Sequence, residues 1–144
     1  MSTSRFHFNR VLLIDDSEID VLVNRRLMEL TSFSENVIVA GSAEEALGFL
    51  QNECVSEKDA PDWIFLDLHL PMMSGYDFIE EFKTLPEFIR EKSKIIIFSV
   101  FPKPEQIEKT FQNKFVVGRI EKPLTQKVLK DIYEGKNIVV NVSA

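Results

Sequence analysis

The sequence predicts an α/β domain in which a parallel sheet carries helices on both faces. Five short apolar runs rich in β-branched and aromatic residues punctuate the chain: RVLLID (Arg10–Asp15), NVIVA (Asn36–Ala40), WIFLDL (Trp63–Leu68), KIIIFSV (Lys94–Val100) and KFVVGRI (Lys114–Ile120). They are mostly continuous rather than alternating, which is the pattern of strands covered on both sides. Helical periodicity fills the gaps between them. The resulting order, βαβαβαβαβα, implies a doubly wound sheet with right-handed crossovers.

The helices follow in turn. After the first run, Ile19, Leu22, Val23, Leu27 and Leu30 make one apolar stripe, the face expected to pack inward. Ser17 and Asp20 stand in capping-box register before it. The second helix carries Ala43, Ala46, Leu47 and Leu50, opened by Ser42 and Glu45. Phe78, Ile79, Phe82 and Leu85 mark the third. Pro104 is placed to open a short fourth, and Leu124, Val128, Leu129 and Ile132 mark the last. Asn52–Asp62 reads as a polar connector. The division is an N-terminal extension (1–9), one domain (10–134) and a short tail (135–144), whose Ile138–Val140 is read as packing back on the domain.

Bulk properties narrow the function. A chain of 144 residues, 44% of them hydrophobic, fills one core and no more. The net charge of −6 and the scattered basic residues argue against a nucleic-acid footprint. No apolar stretch reaches membrane-spanning length, and MSTSRFHFNR has no secretory core. A single cysteine, Cys54, excludes an internal disulfide or a Cys-rich zinc site. The expectation is a cytoplasmic protein with no membrane partner.

In open α/β sheets, function gathers beyond the carboxyl ends of the strands. The first run ends in Asp15-Asp16-Ser17 and the third in Asp67; the fourth ends near Ser99, and the fifth leads to Glu121-Lys122-Pro123. Each alone has an ordinary reading: a helix cap, a strand-end hydroxyl, a surface turn. Together they bring three carboxylates, a hydroxyl and an ammonium to one rim.

The motifs LLIDDSEID, FLDLHLPMMSGYDF, IIIFSV and EKPL, in this order and spacing, resemble the receiver domain of two-component response regulators, from about Arg10 to Glu134. The resemblance implies a flavodoxin-like five-stranded sheet of order 2-1-3-4-5 and a cis peptide before Pro123. Asp67 would be the phosphoacceptor, with Ser99 and Lys122 contacting the phosphoryl group. Mg2+ would be held by Asp15, Asp16, Asp67 and the backbone carbonyl of His69. The partners implied are a sensor histidine kinase or phosphotransfer protein and a downstream target protein. The expected role is a stand-alone switch that catalyses its own aspartyl phosphorylation and dephosphorylation, not a conventional enzyme.

The chemistry agrees with that reading. A carboxylate attacks phosphorus to give an acyl phosphate, and clustered carboxylate oxygens suit Mg2+. Two positions depart from the family pattern, and four more bear on it. Arg119 replaces the strand-five aromatic that usually switches, and Val100 replaces Ala or Gly after the hydroxyl. His69 and Phe101 occupy positions that tune dephosphorylation in the family, and Pro102 and Pro104 restrict the chain beyond strand four. These departures give weight to an alternative, a phosphorylation-independent interaction module. A phosphohydrolase is disfavoured, because His69 stands where such an enzyme would carry a second aspartate.

Overall fold

The computed structural model describes residues 5–100, 105 and 112–136. The helix expected from Pro104, the positions of Phe101 and Pro102, and the tail segment Ile138–Val140 lie outside the described residues. The elements are β1 (Phe8–Ile14), α1 (Glu18–Leu30), β2 (Ser34–Ala40), α2 (Ala43–Asn52), a 3-10 turn (Glu57–Asp59), β3 (Trp63–Leu66), α3 (Gly75–Phe82), α4 (Glu87–Lys92), β4 (Lys94–Ser99), β5 (Val116–Glu121) and α5 (Gln126–Tyr133). The strands form one parallel sheet of order β2-β1-β3-β4-β5.

The continuous apolar runs are explained by what covers them. Leu12, Ile14, Ile64, Leu66, Ile95 and Ile97 face one layer, packed against α2 and α3. Val11, Leu13, Phe65, Ile96 and Phe98 face the other, against Met28 of α1 and Leu129 and Ile132 of α5. Burying each such side chain contributes roughly 1.5–3 kcal/mol. Both faces of every central strand are therefore core.

Two expectations need correction. Four of the five residues predicted to anchor α1 face outward: Ile19 is 75% exposed and Leu22 72%, and Val23 and Leu30 are exposed too. Asn24 and Met28 are buried instead, with Val21 and Leu27 packed beside them. The short link from β1 and the cap at Ser17, whose hydroxyl accepts the Asp20 N–H at 3.2 Å, set the rotation of the helix. Periodicity alone chose the more apolar face, which is the wrong one. The second correction is α4. Its six residues bury only Ile89, too little to leave a periodic signal.

α3 shows how backbone freedom serves the site. Ser74 and Asp77 form a reciprocal capping box at its start. A Cβ at Gly75 would lie 2.7 Å from Leu68 Cα and 2.8 Å from the Asp67 carbonyl oxygen. Only glycine lets the helix press this closely on the turn after β3.

Candidate functional site

Register builds the site. Ile14 of β1 pairs with Leu66 of β3, so the next residues, Asp15 and Asp67, emerge side by side at the carboxyl rim. Ser99 ends β4 and pairs with Glu121 of β5. The Lys122 N–H donates to the Ser99 carbonyl at 2.9 Å, and the Lys122–Pro123 bond is cis, as the resemblance implies. The lysine side chain then reaches back across the rim.

An apolar strand ends in a charge here because the charge has a partner. Lys122 Nζ donates to Asp15 Oδ2 at 2.7 Å, Asp67 Oδ2 at 2.9 Å and Asp20 Oδ2 at 3.1 Å. The lysine side chain is only 10% exposed, and Asp15 and Asp67 are as deeply placed. Its ammonium also lies 5.2 Å from the centre of the Phe98 ring. Each buried carboxylate takes one backbone donor as well: Ser17 N–H on Asp15 Oδ1 and His69 N–H on Asp67 Oδ1, both at 2.9 Å. Burial of unpaired charge at this depth would cost several kcal/mol, so the pairing is what makes the rim tenable.

The electrostatics follow. Burial pushes the Asp15 carboxyl up from its ordinary value, opposed by its bonds from Lys122 and the Ser17 N–H. Burial alone would lower Lys122, but its bonds to Asp15 and Asp67 win and hold the ammonium well above the usual lysine range. The lysine is thus a fixed positive charge.

Asp15, Asp16 and Asp67 can offer one oxygen each within 4.8 Å of one another. An all-carboxylate set is hard and fits a hard divalent cation such as Mg2+. No His or Cys joins the cluster among the described residues. Ser99 is fully buried, and its Oγ has no hydrogen-bond partner among the described residues. A buried hydroxyl left in this way is an exception among native polar groups.

A family model for the response regulator receiver domain matches residues 11–134. The chain belongs to that family. The receiver is 31% identical over 120 residues to the two-component response regulator ORR1 of Oryza sativa subsp. japonica, an alignment covering 82% of the chain and 51% of the rice protein. It thus spans about half the length of that relative. The response regulator Rcp1 of Synechocystis is 28% identical over 81 residues, covering 56% of the chain and 55% of Rcp1. Among solved structures, a two-component response regulator from Cytophaga hutchinsonii superposes with a TM-score of 0.80 at 27% identity, covering 89% of this chain and 96% of that one. A response regulator receiver protein from Dyadobacter fermentans gives 0.76 at 26% identity, over 88% and 95%.

Of the candidate residues, Asp15, Asp67 and Lys122 are in direct contact, and Asp16 stands exposed at the edge of their cluster. His69 is exposed, and its contact with the receiver's acidic pocket is through its N–H to Asp67. Val100 is exposed directly after Ser99. Arg119 is half-buried on β5, level with Ile97, and its Nε is buried without a hydrogen-bond partner among the described residues. Asp20 was not foreseen beside Lys122. Its position three residues after Ser17 suggested a capping box, yet the Ser17 N–H is taken by Asp15. Nor was the groove of about 540 Å³ that runs from Asp15 and Asp16 along Leu22, Arg25 and Glu29 of α1.

Proposed function

We propose that this receiver accepts a phosphoryl group on Asp67 from a phosphohistidine and signals by phosphorylation-dependent contact with a target protein. The observation that carries this reading is Asp67 paired at 2.9 Å with a largely buried ammonium, beside a buried Ser99 hydroxyl lacking a partner among the described residues. A carboxylate oxygen attacks phosphorus, the P–N bond of the donor breaks, and the electron pair leaves on the imidazole nitrogen. Such transfer needs positioning and neutralised charge on the equatorial oxygens more than covalent chemistry. Lys122 supplies one charge and Ser99 one hydrogen bond. Asp15, Asp16, Asp67 and the His69 carbonyl would hold Mg2+, which supplies further neutralisation of the phosphoryl oxygens when bound.

The same reading covers the departures from the family pattern. Val100 narrows the approach to the phosphoryl group. Together with His69 it slows the attacking water and lengthens the phosphoryl lifetime. With Arg119 at the usual aromatic position, the two signalling conformations differ in how this cation is accommodated, and phosphorylation shifts their balance. The intact acidic pair, the acceptor and the lysine argue against a phosphorylation-independent module.

A sensor histidine kinase or phosphotransfer protein is the donor, and the exposed Ile19 and Leu22 of α1, beside the groove along that helix, provide its docking face. No helix among the described residues is long and apolar enough to cross a membrane, and we place the relay in the cytoplasm. The test is transfer of labelled phosphate from a phosphohistidine-bearing phosphotransfer protein. Leu22→Glu is expected to slow protein-to-protein transfer about ten-fold, while labelling by acetyl phosphate keeps its rate. Equal slowing with both donors would remove α1 from the docking surface, and no transfer to the wild type by any donor would remove the acceptor role.

A further inference from the structure

Lys122 has three N–H donors, and three carboxylates take them. These three are not equivalent. Asp15 and Asp67 are buried and belong to the acidic cluster that fits a divalent cation. Asp20 is neither in that cluster nor the expected acceptor, and its side chain is 43% exposed. It sits in the first turn of α1, three residues after the cap, where an acid commonly turns back to the cap's own N–H. That N–H is already bonded to Asp15 Oδ1 at 2.9 Å. Asp20 is therefore released from the cap and crosses to the lysine at 3.1 Å.

A phosphoryl oxygen arriving at Asp67 needs an N–H from Lys122, and all three are spent. One partner must yield. Asp15 has no solvent to turn to, its side chain being wholly buried, and Asp67 carries the incoming group. Asp20 at the rim can exchange its ammonium contact for water at small cost, as exposed ion pairs do.

We propose that Asp20 is a positioning residue that acts through Lys122, holding the ammonium in the resting receiver and yielding its place to the phosphoryl oxygen. Resting on the acceptor reading of Asp67, this makes Asp20 a competitor with the phosphoryl group for one lysine. Its charge also repels the incoming dianion. Removing that charge strengthens phosphoryl binding, contrary to the usual effect of deleting an acid beside a catalytic lysine.

The experiment compares the full chain with Asp20→Asn and Asp20→Glu. Asparagine keeps the side-chain shape, and Ser17 still caps the helix. In metal-free protein, the Lys122 ammonium is followed by nitrogen-15 NMR. Asp20→Asn is expected to shift its signal and speed its hydrogen exchange, and Asp20→Glu to restore both towards wild type. An unaltered signal in Asp20→Asn overturns the contact. Each chain is then titrated with beryllofluoride, a non-covalent phosphoryl mimic, in the presence of Mg2+. Asp20→Asn is expected to bind it roughly three- to ten-fold tighter, the scale of one partly exposed charge contact plus repulsion. Equal or weaker binding overturns the competition. A wild type that binds no mimic, while Lys122 still responds to Asp20, sinks the acceptor reading and leaves the resting-state contact standing.

Discussion

Two aspartates bracket β3, and they do opposite things. Asp62 precedes the strand, and its Oδ2 accepts the N–H groups of Asn9 and Arg10, both at 3.1 Å. Its own N–H donates to the Arg10 carbonyl at 2.8 Å, and its carbonyl accepts from Lys94 at 3.2 Å. Every partner is backbone, fixed by the sheet. Asp67 follows the strand and has one backbone donor, the His69 N–H, and one side-chain donor, Lys122. The ammonium can turn to another acceptor; a sheet N–H cannot. A strand-end carboxylate becomes useful when part of its satisfaction is exchangeable. The residue type alone does not distinguish the two ends.

Removing the exchangeable donor tests the difference most severely. Lys122→Ala is expected to lower acyl-phosphate formation from acetyl phosphate roughly 100-fold, the usual loss when one positioned charge-stabilising donor goes. Labelling at wild-type rate would show the lysine to be structural only. At the other end, Asp62→Ala is expected to cost about 1–3 kcal/mol of stability by leaving two backbone donors short of an ionised acceptor. Denaturant unfolding measures that, and the labelling rate of the folded protein should hold.

Gly75→Ala pushes a methyl to within 2.7 Å of Leu68 Cα, on the Asp67 side of the strand. A loss of about 1–3 kcal/mol is expected from overpacking, and unlike the Asp62 variant it should also slow labelling by displacing the turn after Asp67, the proposed acceptor. The smallest effect belongs to the amino side. Cys54 is buried, and burial pushes its thiol up to about 11. Iodoacetamide at pH 8 is expected to modify it at least about ten-fold more slowly in the folded than in the unfolded chain. Equal rates would mean that the connector before β3 opens freely.

Much of this was legible in the sequence because the relevant signals are local. The apolar runs at 10–15 and 63–68 announce strands buried on both faces, and the charges at their ends announce the rim. The motif order carried the strand order, which periodicity does not encode. What stayed hidden depends on how elements rotate and pack. The α1 stripe reads as inward because Ile19, Leu22, Val23, Leu27 and Leu30 recur at helical spacing, yet the cap and link turn Asn24 and Met28 to the sheet. Asp20, Asn24 and Met28 stand at successive i, i+4 positions. A polar pair on that line was the available sign that Asp20 heads into the site. α4 left no such sign, since one buried residue makes no period.

The most direct measurement is intact mass after incubation with Mg2+ and acetyl phosphate, made on wild type, Asp67→Asn and Asp62→Asn. One added phosphoryl group is expected on wild type and on Asp62→Asn, labile to hydroxylamine, and none on Asp67→Asn. A phosphoryl group that persists in Asp67→Asn, or that Asp62→Asn alone abolishes, would contradict the assignment of the acceptor to the carboxyl end of β3.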